Sequence, residues 1–200
     1  MLDFEMQYYD DNIKLIVGID EAGRGPLCGP VVVSAVILKK DYYNPHINDS
    51  KKLTPKQREV AFKEIYNDAI DIGVGIVSAQ EIDRINIYEA TKIAMLQALN
   101  QLSSNYDFII TDAMKLDVNG TPLLALIKGD AKCQCIAAAS IVAKVTRDHL
   151  MDEYDKKYPQ YDFKTNKGYG TKKHLEALKK YGPIQGFHRF TFAPITKKNK

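Results

Sequence analysis

The chain is poor in cysteine and contains neither a long apolar run nor a low-complexity tract. Its three cysteines are an odd number, so a disulfide framework like that of small secreted proteins is not expected. The longest apolar runs, such as residues 31–38, have the length of a strand, whereas a membrane span needs about 20 apolar residues. The first residues, MLDFE, are acidic, whereas a secretory signal peptide begins with basic residues. We therefore expect a reduced, cytoplasmic protein with no membrane partner.

Charge is distributed unevenly along the chain, although the net charge is only +3. Residues 156–200 contain 12 Lys and Arg against 2 acidic residues, whereas residues 1–155 contain 16 against 23. Basic residues interleaved with aromatic ones are typical of a surface that binds a polyanion; the alternative is a solvated helical surface with a basic tail. The interleaved aromatic residues are Tyr158, Tyr161, Phe163, Tyr169, Tyr181 and Phe187.

A chain of 200 residues, 45% of them hydrophobic, can form one domain with its own core, or one domain with an appended subdomain. The charge changes near Lys156, so we expect a core at residues 1–155 and a basic helical subdomain at residues 156–200. No Ser/Gly-rich linker separates the two parts, and the subdomain is therefore expected to pack on the core.

Apolar and β-branched residues predict five strands. The second is almost entirely apolar and is expected to be buried on both faces. The third contains Gly73 and Gly75, which we expect to break it, and residues 119–122 predict a turn before the fifth. The five predicted strands are residues 13–20, 30–38, 72–78, 107–111 and 123–127.

Helical signals lie between and after these strands. Thr54 followed by Pro55 indicates a helix that begins there and ends near Ala69. In the next long helix, Ile93, Leu96 and Leu99 are expected to share one face. The other predicted helices are a short one from Ser78, and longer ones at residues 87–102, 131–158 and 171–181.

The order of these elements indicates an α/β fold with three layers. We expect a mixed, five-stranded central sheet flanked by helices, with a small helical C-terminal extension. The pattern by itself does not single out one fold among mixed α/β sheets.

Asp20 and Glu21 close the first apolar strand, and a strand end is an unfavourable place for two like charges. Each carboxylate raises the pKa of the other and weakens the fold unless a cation lies between them. The turn Gly23-Arg24-Gly25 follows, and its backbone N–H groups and guanidinium suit a phosphate. Metal ligands beside a phosphate-binding turn indicate metal-assisted phosphodiester chemistry.

Two further carboxylates follow later strands. Asp112 ends the fourth strand, and Asp130 lies between the fifth strand and the long helix. Because adjoining strand ends bring such residues together, we expect Asp20, Glu21, Asp112 and Asp130 to form one divalent-cation site. Oxygen ligands in this number favour one or two Mg²⁺ or Mn²⁺ ions over Zn²⁺. Taken singly, an Asp at a strand end is more often a turn-former or helix cap, and Asp148 is the rival fourth carboxylate.

Several ordered blocks carry a resemblance to a known family. The first is DEAGRGPL at residues 20–27, followed by GPVV at residues 29–32 and NDSKKL at residues 48–53. The later blocks are KGD at residues 128–130, AAASIVAKVTRD at residues 137–148, KGYGT at residues 167–171 and HRFTF at residues 188–192. Together they resemble bacterial ribonuclease HII, the type 2 ribonuclease H family, which usually has serine at position 191.

The resemblance implies a ribonuclease H-like fold with residues 1–155 as its catalytic core. It implies a metal-dependent endoribonuclease that hydrolyses the RNA strand of RNA–DNA hybrids. It also implies cleavage on the 5′ side of ribonucleotides embedded in duplex DNA, leaving 3′-hydroxyl and 5′-phosphate ends, as in ribonucleotide and primer removal. Asp20, Glu21 and Asp112 match the family's catalytic carboxylates directly, and Asp130 is the natural fourth. No histidine base is evident, so metal-activated water is the expected nucleophile.

Selectivity for RNA has to be read at the 2′-hydroxyl. The resemblance assigns this reading to Gly23, Arg24 and Gly25, since glycines let the backbone approach a sugar and arginine binds a phosphate. It assigns to Tyr169 the stacking on a deoxyribose at the ribo–deoxy junction. Candidate phosphate contacts are Lys51, Lys144, Arg147 and Lys167, with a solvated lysine as the alternative for at least one of them.

Cys133 and Cys135 are one residue apart with no second pair, so we expect small buried helix residues in place of a zinc or redox site. Cys28 is expected to pack against the sheet. For His188 two interpretations stay open, a structural role and a position in the nucleic-acid groove.

Three alternatives compete with this interpretation. A type 3 relative would be expected to carry an extra N-terminal domain and lysine in place of Arg24. A non-catalytic nucleic-acid-binding module would gain stability by losing the buried carboxylates, and the Gly-Arg-Gly block argues against a transposase or Holliday-junction nuclease. A monomer is expected. Residues 196–200 lack the apolar and aromatic residues of a clamp-binding peptide, so protein partners stay open.

Overall fold

Five strands form one sheet in the computed structural model, which describes residues 2–118 and 120–195. The strands are β1 (Ile16–Ala22), β2 (Val31–Ile37), β3 (Asp71–Val77), β4 (Phe108–Asp112) and β5 (Leu123–Leu126). Their order in the sheet is β3-β2-β1-β4-β5. The pairs β1–β2 and β2–β3 are antiparallel, whereas β1–β4 and β4–β5 are parallel. The predicted mixed sheet is thus confirmed, and β2 is buried along its whole length as expected.

Helices cover both faces of this sheet, which gives the three predicted layers. One face packs on α5 and α2, the other on α4 and α3. The helices are α1 (Leu2–Met6), α2 (Pro55–Asp68), α3 (Ala79–Ile85), α4 (Ile87–Asn100), α5 (Gln134–Lys157), α6 (Phe163–Asn166) and α7 (Lys172–Tyr181). Helix α2 begins as predicted, because Thr54 accepts a hydrogen bond from the backbone of Gln57 and completes a capping box with its side chain.

Strand β1 is displaced along the chain from its predicted position. Asp10 Oδ1 accepts hydrogen bonds from the backbone N–H groups of Asn12 and Ile13 and so forms a local turn where the prediction began the strand. At the other end, Ala22 still pairs with Val32 of β2. Asp20 and Glu21 therefore lie inside the strand and point to opposite faces. The prediction that they end the strand was wrong by two residues.

Strand β3 is continuous, so Gly73 and Gly75 do not break it as predicted. A Cβ on Gly75 would lie 1.9 Å from the carbonyl oxygen of Ala94, and one on Gly73 would lie 2.0 Å from that of Ala98. The glycines thus let α4 approach the sheet closely. This contact also corrects part of the predicted face of α4: Leu99 is buried as expected, whereas Ile93 and Leu96 are exposed. The buried face is completed by Ala90, Thr91, Ala94, Met95 and Ala98.

The long helix α5 begins three residues later than predicted. Residues Gly129–Ala131 form a 3₁₀ turn instead, and the backbone N–H groups of Lys132 and Cys133 both donate to the carbonyl of Gly129. The turn holds Asp130 against the end of the sheet. It is entered through Lys128, whose φ of 57° is left-handed.

The C-terminal elements pack on the loop between β1 and β2. Their apolar cluster joins Leu27 and Cys28 to Met151, Phe163 and Phe187. The division between residues 1–155 and 156–200 stays a prediction, and α5 runs through that point without a break. Asn119, in the predicted turn at residues 119–122, and residues 196–200 lie outside the described residues. Among the described helices, none combines the length and apolar character that crossing a membrane requires.

Candidate active site

Three of the four predicted carboxylates meet at the edge of the sheet where β1 and β4 end. These strands are parallel neighbours, and Ile19 pairs with Thr111, so Asp20 and Asp112 leave the same edge. Asp130 reaches this edge from the 3₁₀ turn. One ligand oxygen from each of the three residues lies within 4.8 Å of the others. The rival carboxylate, Asp148, instead accepts a hydrogen bond from Lys144 Nζ at 2.6 Å on α5.

Asp20 is 5% exposed. Its Oδ1 accepts a hydrogen bond from the backbone N–H of Glu21 at 2.8 Å, and the Ser140 hydroxyl nearby also favours a lower pKa. The effect of these groups on the pKa is smaller than that of the surroundings. Burial, followed by the charge of Glu21, raises the pKa of Asp20 well above its usual range. A carboxylate kept ionised here needs a positive charge beside it.

Glu21 carries a buried oxygen without a partner. Its Oε1 accepts a hydrogen bond from Arg24 Nη1 at 3.3 Å, whereas its Oε2 is buried and has no hydrogen-bond partner. Burial raises the pKa of Glu21, and Arg24 opposes that rise. Unsatisfied buried oxygens are costly, so this oxygen is free for a ligand at the site.

Asp112 and Asp130 are each held by a hydrogen bond from another segment of the chain. Asp112 Oδ1 accepts a hydrogen bond from the backbone N–H of Gly129 at 2.9 Å, and burial raises its pKa. Asp130 is buried, and its Oδ2 accepts a hydrogen bond from Lys51 Nζ at 3.1 Å. Asp20, Asp112 and Asp130 thus offer three closely spaced oxygen ligands, and Glu21 adds an unpartnered oxygen in the same cleft. These residues fit a hard divalent cation.

The Gly23-Arg24-Gly25 loop lies beside these carboxylates and is held from behind by Arg189. The Arg189 guanidinium donates to the carbonyl of Gly23 at 2.6 Å and to that of Arg24 at 2.9 Å. Gly23 has a φ of +98°, and a Cβ there would lie 2.1 Å from Arg147 Nε. Only glycine fits this position.

Arg147 supports the same region from α5. It is 1% exposed, and its guanidinium donates to the backbone carbonyls of Pro30, Lys167 and Cys28. These bonds correct the predicted phosphate contact of Arg147: they show a buried residue that fixes the loop.

Tyr169 closes the other side of the cleft. Its side chain is exposed, and a Cβ on Gly25 would lie 3.5 Å from its ring atom Cε1. The cleft between them has a volume of about 290 Å³. Its lining includes Asp20, Glu21, Gly23, Arg24, Gly25, Ser50, Lys51, Arg58, Asp112, Ser140, Lys144, Arg147 and Tyr169.

The three predicted lysines differ in their positions. Lys51 stands exposed at the rim and pairs with Asp130. Lys144 lines the cleft, but its amine is held by Asp148. Lys167 bonds to Asp152 and to the carbonyl of Asp148, and it lines a second groove between α2 and α5 in place of this cleft.

Four residues of the site were missed by the sequence analysis. Ser140 and Ser50 bond each other at 2.9 Å beside Asp20, and Arg58 lines the cleft while donating to the carbonyl of Ser50. Arg189 holds the glycine loop. Ser140 precedes Lys144 by one helical turn, which was the one available signal; the other contacts join distant parts of the chain.

The predictions for cysteine and histidine have mixed outcomes. Cys133 and Cys135 are small and buried as expected, although Cys133 caps α5 and does not lie in it. Cys28 packs with the C-terminal elements, so its predicted contact with the sheet was wrong. His188 is 1% exposed, which supports its structural interpretation. The hydroxyl of Thr191 donates to Asp83 at 2.6 Å.

Comparison with known proteins agrees with this geometry. A family model described as Ribonuclease HII matches residues 17–195. The chain belongs to this family. Its members are endoribonucleases of the ribonuclease H type, so the chain is an enzyme.

Similar proteins support the assignment. The ribonuclease HII of Geobacillus sp. (strain WCH70) is 55% identical over 192 residues, covering 96% of this chain and 69% of that protein. That of Enterococcus faecalis is 55% identical over 195 residues, covering 98% and 76%. The crystal structure of ribonuclease H2 from Pyrococcus horikoshii OT3 has 30% identity and a TM-score of 0.78, covering 92% of this chain and 96% of that one.

Proposed function

We propose that this enzyme hydrolyses the RNA strand of RNA–DNA hybrids and cuts on the 5′ side of ribonucleotides embedded in duplex DNA. The products would carry 3′-hydroxyl and 5′-phosphate ends, as ribonucleotide and primer removal require. Membership of the ribonuclease HII family supports activity on RNA–DNA hybrids. The observation that carries the finer proposal is the convergence of Asp20, Asp112 and Asp130. The unpartnered Glu21 oxygen lines the same cleft, beside the glycine loop and Tyr169.

Asp20, Glu21, Asp112 and Asp130 would hold one or two Mg²⁺ or Mn²⁺ ions. When bound, such ions activate water and neutralise charge on the departing 3′-oxygen. A ribonuclease HIII with a similar fold, at 16% identity and a TM-score of 0.68, is described in complex with Mn²⁺. The chain's part is to hold these carboxylates in place: the backbone N–H of Gly129 donates to Asp112, and Lys51 donates to Asp130.

The glycine loop and Tyr169 would read the ribonucleotide. RNA differs from DNA at the 2′-hydroxyl, and the backbone at Gly23 and Gly25 lines the cleft without side chains to block a sugar. Arg24 would bind the phosphate, and Tyr169 would stack on the deoxyribose at the junction. The exposed ring of Tyr169 beside Gly25 supports that role.

Lys51 is the best-placed phosphate contact among the lysines, because it stands exposed at the rim of the cleft. Lys144 and Lys167 would have to leave Asp148 and Asp152 before binding a phosphate. The monomeric state and the cytoplasmic location stay predictions. A similar protein, the ribonuclease HII of Archaeoglobus fulgidus, is described in complex with PCNA, and a clamp partner for this chain is open.

Cleavage of three labelled substrates tests the proposal: a DNA duplex with one ribonucleotide, a long RNA–DNA hybrid and plain duplex DNA. The wild type should cut the first once, 5′ to the ribonucleotide, only when Mg²⁺ or Mn²⁺ is present, and Asp20→Asn should abolish cutting. Cutting of the hybrid alone would remove the reading role of the glycine loop and Tyr169. Binding without cleavage under either metal would leave a non-catalytic module.

A further inference from the structure

The C-terminal segment carries two buried histidines that the proposed reaction does not use. His174 lies in α7 and His188 follows that helix, and they are 0% and 1% exposed. Their Nε2 atoms are 3.2 Å apart. Aromatic rings of Tyr161 and Phe163 pack around both.

The contacts of the two rings determine where their protons lie. His188 Nδ1 is 2.8 Å from the backbone N–H of Ile184, and because a backbone N–H only donates, this nitrogen must accept. A neutral His188 therefore carries its proton on Nε2 and donates it to His174 Nε2. His174 must then carry its proton on Nδ1, which lies 2.8 Å from the carbonyl oxygen of Tyr169.

This arrangement satisfies all four ring nitrogens when both histidines are neutral. A proton added to either ring would leave two donors facing each other. The titratable groups that face the pair are Cys28, from the loop between β1 and β2, and Tyr161, from a second 3₁₀ turn, Pro159–Tyr161, that follows α5. The charges of Arg147 and Arg189 act to lower the pKa of Cys28, but both guanidinium groups donate to backbone carbonyls.

The last acceptor in the chain of hydrogen bonds is the backbone of the residue proposed to read the ribonucleotide. The carbonyl of Tyr169 also accepts from the backbone N–H of Thr171 at 2.8 Å, and the N–H of Tyr169 donates to the carbonyl of Asn166 at 2.9 Å. The flanking Gly168 donates its N–H to the side chain of Asn166. The backbone of Tyr169 is thus held at both ends while its ring is free to meet a substrate.

Arg189, the residue after His188, bonds the glycine loop on the other side of the cleft. His188 connects through His174 to Tyr169, whereas Arg189 bonds the carbonyls of Gly23 and Arg24. Two consecutive residues therefore tie together the loop and the tyrosine between which a ribonucleotide would lie.

We propose that His188 and His174 form a neutral hydrogen-bonded relay that positions Tyr169 for recognition of the ribo–deoxy junction. Neither histidine touches the cleft, so both are positioning residues. This inference rests on the proposed role of Tyr169, and it goes beyond that role by naming what sets the tyrosine's position.

Nitrogen-15 NMR of the histidine side chains tests the relay without any activity measurement. Protonated and unprotonated ring nitrogens have well-separated shifts, and His174→Asn and His188→Asn assign the signals. At pH 7 we expect His188 protonated on Nε2 and His174 on Nδ1. The reverse tautomers, a charged ring, or a zinc ion bound by Cys28 and both rings would overturn the relay.

Paired variants test the positioning. His174→Asn keeps a donor near the Nδ1 position for the Tyr169 carbonyl, whereas His174→Gln keeps an acceptor for His188 and loses that donor. We expect His174→Gln to lower kcat/KM on the single-ribonucleotide duplex by about 3- to 10-fold, the effect of one lost hydrogen bond, and to lower hybrid cleavage less. His174→Asn should approach the wild type, and His149→Asn, at an exposed histidine, is the matched control.

A double-mutant cycle separates positioning from general stability. If the relay acts through Tyr169, His174→Gln should have no further effect on single-ribonucleotide cleavage in the Tyr169→Ala background. Equal losses on both substrates, or additive losses in that background, would contradict the inference. If the wild type itself fails to cut at single ribonucleotides, the proposed function fails, and the NMR result still decides the relay.

Discussion

At the scale of single residues, the cleft keeps carboxyl groups where water cannot solvate them fully. Asp20 is buried, Glu21 has an unpartnered oxygen, and burial raises the pKa of both. Two cationic side chains reach the group, Arg24 and Lys51, and each pairs with a different carboxylate. A divalent cation among the oxygens would reverse the sign of their mutual interaction.

The fourth carboxylate can be identified by comparing Asp130→Asn with Asp148→Asn. Asp130 lies in the carboxylate group, so Asp130→Asn should lower the cleavage rate by more than about 100-fold. Removing a residue that only supports a metal ligand costs up to about 100-fold in activity. Asp148 binds Lys144 outside the group, and Asp148→Asn should stay within a few-fold of the wild type. Single-turnover cleavage across a range of Mg²⁺ concentrations measures both. The opposite ranking would make Asp148 the ligand.

The buried histidines predict a loss of stability in mild acid. Burial, reinforced by His174, lowers the pKa of His188 from 6.5 to about 4. As the pH falls below 6.5, the unfolded chain takes up a proton that the folded chain excludes, so stability is full above pH 6.5 and declines toward pH 4. At pH 5 the exclusion of this proton from His188 should lower the free energy of unfolding by about 2 kcal/mol.

Urea unfolding of the wild type and His188→Asn between pH 7.5 and 5 measures this loss. The variant keeps an acceptor for the Ile184 N–H but cannot be protonated, so its unfolding free energy should fall less with pH. Equal pH dependence in both proteins would show that His188 is not the residue excluded from protonation.

At the scale of elements, glycine and alanine decide how closely the helices approach the sheet. Gly75 faces α4, and a Cβ there would overlap a helix carbonyl at 1.9 Å. We expect Gly75→Ala to lower the free energy of unfolding by more than about 3 kcal/mol, since the clash is with backbone. The neighbour Ile76, which is 44% exposed, provides the control: Ile76→Ala should cost less than about 1 kcal/mol. Similar losses from the two substitutions would contradict the close contact.

Periodicity predicted the elements better than it predicted their ends and faces. The five strands and α2 were found because apolar runs and the Thr54-Pro55 cap are local signals. The start of β1 was missed because Asp10 forms a turn that competes with the strand. The buried face of α4 was predicted only in part: Leu99 is buried as expected, but the burial of Ala94 and Ala98 depends on glycines in another element.

At the scale of the whole molecule, the site combines parts that are far apart in sequence. The convergence of Asp20, Asp112 and Asp130 could be predicted because strand ends adjoin and ordered motifs match a family. The buried roles of Arg147 and Arg189 could not, since a basic residue in a nucleic-acid enzyme suggests phosphate binding. Their carbonyl partners, such as Pro30 and Gly23, are identified only by the folded chain.

Electrostatic contacts across the molecule predict a salt-dependent affinity. In the Asp20→Asn background, binding of uncut duplex should weaken linearly with the logarithm of salt concentration. Lys51→Ala should reduce the magnitude of that slope by about 0.9, the contribution of one phosphate contact, whereas Lys92→Ala, at a lysine paired with Glu89 on α4, should leave it unchanged. An unchanged slope for Lys51→Ala would remove Lys51 from the phosphate contacts.

The central claim is that the converging carboxylates form a divalent-cation site, and calorimetric titration of the protein with Mn²⁺ tests it most directly. The wild type should bind one or two ions, and Asp20→Asn should lose this binding while keeping its fold. Equal binding by wild type and Asp20→Asn, or no binding by the wild type, would contradict the claim.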